Sequence, residues 1–205
     1  MSSKNIYLTL RLHNDTKLPG KGKETSAWED TLMLIQDCIA QNRNAQKALY
    51  NQYAPMAYAI IKRYTKHDVI ADEMLNDAFY KIFTKISSYS GSGSFEGWIK
   101  KVVVNTVTDH LRKYIKDQQV YHAGELPEDV YMNDDIVGKL TYKELLAVVH
   151  ELPDTQRMVF NLFVFEELKH KEISEELGIS EVNSRWHLND ARRRLKEKIN
   201  SIMKR

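Results

Sequence analysis

The C-terminal end of the chain is rich in side chains that can bind nucleic acid. From Arg185 onward eight residues are Lys or Arg and two are acidic. Lysine and arginine neutralise phosphates, and arginine, asparagine and apolar side chains also contact base edges. In the stretch GISEVNSRWHLNDARRRLK, residues 178–196, these residue types occur around a tryptophan. We therefore predict a DNA-binding surface formed by Asn183, Arg185, Trp186, His187, Asn189, Arg192 and Arg193.

A helix-turn-helix would place these side chains on the exposed face of its second helix. The stretch HKEISEEL, residues 170–177, has helical spacing and is followed by Gly178, which readily adopts the left-handed conformation of a helix end. Ser180 can cap the next helix. The apolar residues of that helix predict a buried stripe of Leu188, Ala191, Leu195, Ile199 and Ile202. The pattern alone leaves open an ordinary helical hairpin with a solvated basic face.

Trp186 lies on the other side of the same helix, about 160° from Leu188 at roughly 100° per residue. We interpret a tryptophan among polar groups as a contact residue. A second buried face is not expected, because the residues around Trp186 are the polar Asn183, Asn189, Asp190 and Arg193. The alternative is that Trp186 packs against the preceding helix or against a partner protein.

A second candidate site lies on a long helix predicted over residues 95–115. Its core stripe comprises Phe95, Ile99, Val102, Val103, Thr106 and His110. A neighbouring stripe comprises Trp98, Lys101, Asn105, Asp109 and Arg112. This mixture suits single-stranded DNA, because cations follow the phosphates and aromatic rings stack on bases. Alternatively, Trp98 is a core residue and the others form a solvated face.

The charge distribution divides the chain into two bodies. The net charge is only +2, but residues 117–138 contain six acidic residues and no Lys or Arg. Glycine and proline also interrupt this segment, which is typical of a linker. We predict a flexible extension over residues 1–26, a helical domain over 27–116, an acidic linker over 117–139 and a four-helix helix-turn-helix module over 140–205.

Helical periodicity in both bodies predicts an all-α protein. Three helices precede the long one; the second is expected to bend or break near Pro55, and the third to begin near Asp68. No apolar run is long enough to cross a membrane. Cys38 is the single cysteine, and the N-terminus lacks the features of a secretory signal. We therefore expect a cytoplasmic protein without membrane insertion.

The residue patterns do not indicate an enzyme. None of the seven histidines has a second histidine four residues away, the spacing that places two metal ligands on one helical turn. Gly91 and Gly93 lie between serines, without the Lys-Ser/Thr that follows a phosphate-binding loop. We expect no catalytic residues, no metal site and no cofactor.

Three segments resemble the extracytoplasmic-function (ECF) sigma factors of bacterial RNA polymerase. Their domain that reads the minus-thirty-five element is similar to LPDTQRMVFNLFVFEELKHKEISEELGIS, residues 152–180, followed by SRWHLNDARRRL, residues 184–195. Their segment that holds the non-template strand of the minus-ten element is similar to SGSFEGWIKKVVVNTVTDHLRK, residues 92–113. The stripe of Trp98, Lys101, Asn105, Asp109 and Arg112 lies in this segment and is called the minus-ten stripe below. Their helix that docks on the polymerase resembles DVIADEMLNDAFYKIF, residues 68–83. Residues 27–116 would then be sigma region 2, and residues 140–205 sigma region 4.

The resemblance also implies roles for particular residues. Asn105, Asp109, Arg112 and Lys113 coincide with the usual polar positions of the minus-ten segment. Docking on the β′ clamp coiled coil would involve Asp72, Glu73, Leu75, Asn76, Asp77 and Phe79, with Asn76 where the family usually has Gln. The implied partners are core polymerase, through its β′ clamp coiled coil and β flap, promoter DNA and an anti-sigma factor.

A stand-alone helix-turn-helix regulator is the rival hypothesis. Such a regulator binds duplex operator DNA by itself, usually as a dimer on two half-sites. A sigma factor, in contrast, binds promoter DNA tightly only together with core polymerase. Transcription from a promoter by core polymerase therefore distinguishes the two.

Overall fold

The computed structural model of the protein describes residues 24–116 and 141–203, with side chains described for 29–112 and 141–202. Within these residues every regular element is helical, and the prediction of an all-α protein is confirmed. The described residues fall into two compact units, 24–110 and 111–203. The predicted acidic linker, 117–139, lies outside the described residues, as does the predicted extension up to residue 23.

The first unit is built from α1 (Glu24–Ile39), α2 (Arg43–Tyr64), α3 (Asp68–Lys85), a short 3-10 turn (Ile86–Ser88) and residues 95–110 of α4 (Phe95–Lys116). The first helix thus begins inside the segment predicted to be a flexible extension. Helix α2 runs through Pro55 without interruption, so of the expected bend or break the break does not occur. Helix α3 begins at Asp68, as predicted.

The core of the first unit consists mainly of aliphatic side chains. The largest fully buried ones are Leu49, Ile60, Ile61, Tyr64, Met74, Ile82, Ile86 and Ile99. Helix α4 buries more of its surface than predicted, because Val104, Val107 and Thr108 are also buried, whereas Val102 and His110 are only half-buried. Helix α4 also contacts the two preceding helices: Phe95 packs edge-on against Tyr53 of α2, and His110 and Asp109 bond to α3.

The second unit contains α5 (Tyr142–His150), α6 (Asp154–Val164), α7 (His170–Leu177) and α8 (Glu181–Met203). A capping box between Thr141 and Glu144 begins α5. Gly178 ends α7 with φ of 67°, and its N–H donates to the carbonyl of Ser174 at 2.9 Å. The Ser180 hydroxyl oxygen accepts from the Asn183 N–H at 3.1 Å and caps α8, as predicted.

Helix α8 packs on all three other helices of this unit. Leu188, Ala191, Leu195 and Ile199 of the predicted stripe are buried. Ile202 is 37% exposed, so its predicted burial is wrong: the helical pattern continues one turn beyond the last buried position. Ser184 and Asp190 are buried as well, although neither belongs to that stripe. The packed surface of α8 is therefore wider than its apolar residues indicate.

Candidate functional site

The exposed face of α3 combines acidic and apolar side chains. It comprises Val69, Asp72, Glu73, Asn76 and Tyr80, and we call it the docking stripe. The spacing of three, four, seven and eleven residues from Val69 keeps all five on one side of the helix. Val69 and Tyr80 are 72% and 71% exposed, and the described residues contain no other large hydrophobic side chains exposed to that extent. An apolar surface with acids between its ends is typical of a protein contact.

The structure divides the six predicted docking residues into two groups. Asp72, Glu73, Asn76 and Asp77 are exposed. Leu75 and Phe79 are only 8% and 3% exposed, so their side chains cannot form a contact surface and instead hold α3 in the core. The Phe79 ring lies 4.5 Å from that of Tyr50 on α2. Sequence reasoning missed Val69 and Tyr80, although their helical spacing from the acids was visible.

Two polar contacts join α3 to α4. Asp77 Oδ2 lies 2.6 Å from His110 Nε2, and Lys81 Nζ donates to Asp109 Oδ2 at 2.9 Å. His110 was predicted to be core, but it is half-buried and bonds to the solvent-facing Asp77. Lys81 was not predicted to be functional, yet it places a cation beside the minus-ten stripe. Polar contacts therefore link α3 to α4, and among these four side chains Asp109 belongs to the minus-ten stripe and Asp77 is one of the predicted docking residues.

The minus-ten stripe on α4 is largely accessible. Lys101, Asn105 and Asp109 are exposed, and Arg112 is half-buried. Lys113 belongs to α4, but its side chain lies outside the described residues. The carboxylate of Asp109 is already paired with Lys81, so a base contact by Asp109 requires it to exchange that partner.

Trp98 is neither fully core nor fully exposed. One face of its ring stacks on Phe95, with centroids 5.7 Å apart and planes 10° from parallel. Tyr89 lies 6.0 Å away, and its hydroxyl donates to the Gly93 carbonyl at 2.7 Å across the loop that precedes α4. The half-buried ring is thus held firmly and remains partly accessible, as a base-stacking platform requires.

The outer face of α8 comprises Val182, Arg185, Trp186, Asn189 and Arg193. Arg185 and Arg193 are exposed, whereas Trp186 and Asn189 are half-buried. The Trp186 ring lies edge-on to His187, with centroids 5.2 Å apart. Val182 is 57% exposed and was not predicted, because a single apolar residue at the start of a helix gives no signal of a contact surface.

The other predicted DNA contacts on α8 lie beside this face. Asn183 and His187 are half-buried. Arg192 is half-buried with its guanidinium 5.5 Å from the centre of the Phe163 ring of α6, a cation–π arrangement. The seven predicted residues therefore differ in their solvent exposure. Those on the outer face of α8 are Arg185, Trp186, Asn189 and Arg193.

Asp190 forms a buried polar cluster that sequence reasoning did not foresee. It was interpreted as one of the polar neighbours that keep Trp186 exposed, but it is only 4% exposed. Its carboxylate accepts from Gln156 Nε2 of α6 at 2.6 Å, from Arg193 Nε at 3.0 Å and from Arg194 Nε at 2.9 Å. Burial of Asp190 raises its pKa, but the hydrogen bonds and charges of Arg194 and Arg193 outweigh that effect and hold the pKa below its usual value.

This pKa predicts that the stabilisation by Asp190 depends on pH. A carboxyl with a lowered folded-state pKa stabilises the fold above its unfolded pKa of about 3.9, and the stabilisation is lost as the pH falls through the folded-state pKa. The urea midpoint of Asp190→Asn should lie below that of the wild type at pH 7, and the gap should narrow below about pH 4. For Leu188→Ala, which removes only apolar contacts, we expect no such narrowing. If the difference between the urea midpoints of the wild type and Asp190→Asn stayed constant with pH, the charge of Asp190 would not contribute to the stability of the fold.

Two models of protein families match this chain, each over a different segment. The family model "Sigma-70 region 2" matches residues 49–115, and "Sigma-70, region 4" matches residues 142–195. The ECF RNA polymerase sigma factor SigM of Bacillus subtilis is 29% identical over 161 residues, which are 72% of this chain and 91% of SigM. The chain belongs to the ECF sigma factors. It therefore directs RNA polymerase to promoters as a transcription initiation factor, and its partners are core polymerase and promoter DNA.

Other sigma factors cover still more of the chain. The ECF RNA polymerase sigma-E factor of Haemophilus influenzae is 21% identical over 181 residues, 83% of this chain and 95% of that protein. Among solved structures, CnrH in complex with the cytosolic domain of CnrY matches with a TM-score of 0.43 and 14% identity, over 82% of this chain and 96% of that one. None of the described helices of this sigma factor is both long and apolar enough to cross a membrane.

Proposed function

We propose that this sigma factor docks on core polymerase through the docking stripe of α3 and holds the opened minus-ten strand on α4. The observation that carries the proposal is the pair of contacts from Asp77 to His110 and from Lys81 to Asp109, which link the helix that carries the docking stripe to the helix that carries the minus-ten stripe. We also propose the domain boundaries 27–116 for sigma region 2, 117–139 for the linker and 140–205 for sigma region 4. The outer face of α8 then reads the minus-thirty-five element.

The docking stripe suits a basic helical partner such as the β′ clamp coiled coil. Asp72 and Glu73 are exposed and concentrate negative charge between the apolar ends, Val69 and Tyr80. Complementary charge speeds association and sets its register, whereas exposed apolar side chains supply buried area. Asn76 lies at the centre of the stripe, where its amide can bond to a partner's polar groups.

The minus-ten stripe suits a single strand better than a duplex. The half-buried, stacked ring of Trp98 offers a flat surface to a base, and Lys101 lies one turn further along the same stripe. Asn105 is exposed and can donate to and accept from a base edge. In the opened promoter the unpaired bases are accessible to both groups.

In the second unit, we propose that Arg185, Trp186 and Asn189 contact duplex DNA. Arginine and asparagine can bond to base edges in the major groove, and the Trp186 ring can contact a thymine methyl group or a sugar. A groove of about 340 Å³ between α5 and α8 has Val148, Leu152 and Leu195 in its lining and an ion pair from Glu151 to Lys198. We assign this groove to the β flap.

Transcription in vitro tests the proposal. Core polymerase with the chain should yield run-off transcripts from a cognate promoter, whereas neither component alone should do so. A stand-alone regulator would instead bind duplex operator without polymerase and yield no transcript with core. An anti-sigma factor, which we expect from the resemblance, should compete with core polymerase for the docking stripe and lower the transcript yield.

Two single changes on α4 separate base reading from phosphate binding. Asn105→Ala should alter the base preference at the minus-ten element, because Asn105 is exposed and able to bond to a base edge. Lys101→Ala should weaken binding to all sequences alike and reduce the salt slope by about 0.7, because it removes one cation from a phosphate of the single strand. Holoenzyme binding to fork-junction templates over a salt series measures both. Equal weakening on every sequence by both variants would show that α4 does not read bases.

A further inference from the structure

The buried carboxylate of Asp190 controls two of the cations on the DNA-reading helix. We infer that Asp190 is a positioning residue that competes with DNA phosphates for Arg193 and Arg194 and thereby limits sequence-independent binding to duplex DNA. The inference rests on the proposed reading of the minus-thirty-five element by α8. It concerns the affinity of that helix for duplex DNA that lacks the minus-thirty-five sequence.

The geometry holds both guanidinium groups on one carboxylate. Oδ1 accepts from Nε and Nη2 of Arg193 at 3.0 and 2.5 Å. Oδ2 accepts from Nε of Arg194 at 2.9 Å and from the amide of Gln156 at 2.6 Å. A two-point contact with an arginine restrains the orientation of the guanidinium plane as well as its position. The Gln156 bond, in turn, ties the carboxylate to α6.

Burial explains why these pairs should persist when DNA is near. The side chain of Asp190 is only 5% exposed, whereas those of Arg193 and Arg194 are 45% and 48% exposed. If an arginine left for a phosphate, a buried carboxylate would lose a partner, which is far more costly than breaking an exposed pair. The exposed pair from Arg185 to Glu181, 51% and 42% exposed, carries no such cost and can exchange readily.

As a consequence, the arginines of α8 differ in how readily they bind DNA phosphates. Arg185 is available to any duplex. Arg193 and Arg194 reach a phosphate only where the other contacts of the helix are good enough to offset the loss at Asp190. Because each phosphate contact adds about 0.9 to the salt slope on duplex DNA, the restraint should appear as a shallower slope on non-promoter duplex.

Asp190→Asn tests the inference, because asparagine keeps the shape and can still accept from Gln156 while the charge is removed. The full-length chain is titrated with a labelled duplex that lacks a minus-thirty-five sequence. The variant should bind more tightly, with a salt slope steeper by about 0.9 for each arginine released. Between roughly 50 and 200 mM salt its affinity should fall about three- to fourfold more for each such arginine. Holoenzyme carrying the variant should discriminate less between promoter and non-promoter duplex.

Control variants separate charge from structure. Gln156→Ala loosens the tie to α6 without changing the charge, so it should lower thermal stability and leave the slope unchanged. Glu197→Gln removes an exposed acid that pairs with Arg193 at 2.9 Å, and should change the slope less than Asp190→Asn. Arg194→Ala should leave the wild-type slope unchanged, because that arginine is held away from phosphates. The measurement on Arg194→Ala tests the inference even if Asp190→Asn does not fold.

Three outcomes would overturn the inference: unchanged or weaker non-promoter binding by folded Asp190→Asn, an equal effect from Gln156→Ala, or a shallower slope for Arg194→Ala. Failure of the proposed function looks different. In that case the wild-type holoenzyme itself would not distinguish a promoter from a template whose minus-thirty-five element is scrambled.

Discussion

Replacing Asp72 and Glu73 together with lysine should weaken binding of the chain to core polymerase by about 100-fold. Two like-charge contacts would replace two favourable ones, and such juxtapositions cost several kcal/mol in total, where about 1.4 kcal/mol corresponds to tenfold. Both side chains are exposed, so the helical content should not change. Fluorescence anisotropy with labelled chain measures the affinity, and circular dichroism measures the helical content.

A matched double reversal provides the control for that experiment. Asp37→Lys with Glu96→Lys changes the net charge equally, at exposed positions of the first unit outside the docking stripe. It should alter the affinity for core far less. Tyr80→Ala should weaken docking as well, whereas Leu75→Ala should instead destabilise the fold by about 2–5 kcal/mol, because Leu75 is buried. If the two double reversals weaken binding equally, the docking stripe is not the contact surface.

Trp186→Ala should reduce initiation from promoters that depend on the minus-thirty-five element by about tenfold. Loss of the correct readout at one base pair typically costs about 1–3 kcal/mol, where about 1.4 kcal/mol corresponds to tenfold. The ring is half-buried rather than part of the fully buried core, so the free energy of unfolding should fall by about 1 kcal/mol or less. Run-off yield from paired templates, with and without the element, measures the first effect, and urea unfolding measures the second.

Leu188→Ala is the contrasting variant two residues further along α8. Leu188 is 2% exposed, so its truncation should cost about 2–5 kcal/mol of stability and lower initiation from both templates together. A large stability loss for Trp186→Ala with unchanged promoter preference would show that the ring packs inside the protein. The contact surface of α8 would then be rotated away from Trp186.

The docking site illustrates where prediction from the sequence ended. The acids of α3 were identified correctly as exposed, but Leu75 and Phe79 were assigned to the contact surface and are buried. An apolar residue on an amphipathic helix is consistent with either role, since periodicity separates faces but does not say which face another protein covers. Only the packing of α3 against α2, seen in the contact of Phe79 with Tyr50, showed that this apolar face lies in the core.

The sequence by itself determined the features that depend on residues within a few positions of each other. The helix end at Gly178, the caps at Thr141 and Ser180 and most of the buried stripe of α8 follow from backbone conformation, hydrogen bonds three residues apart and helical spacing. The resemblance to ECF sigma factors was also carried by contiguous segments.

Only the tertiary structure determined which polar side chains pair with partners that are distant in the sequence. Asp109 pairs with Lys81, 28 positions away, and Asp190 bonds to Gln156, 34 positions away. A charged residue is buried only where hydrogen-bond partners are supplied, because an unpaired buried charge is too costly, and for Asp190 one of those partners, Gln156, comes from another helix. Local patterns do not contain that partner, so Asp190 was predicted to be exposed, and the cluster it forms with Arg193 and Arg194 became visible only in the folded chain.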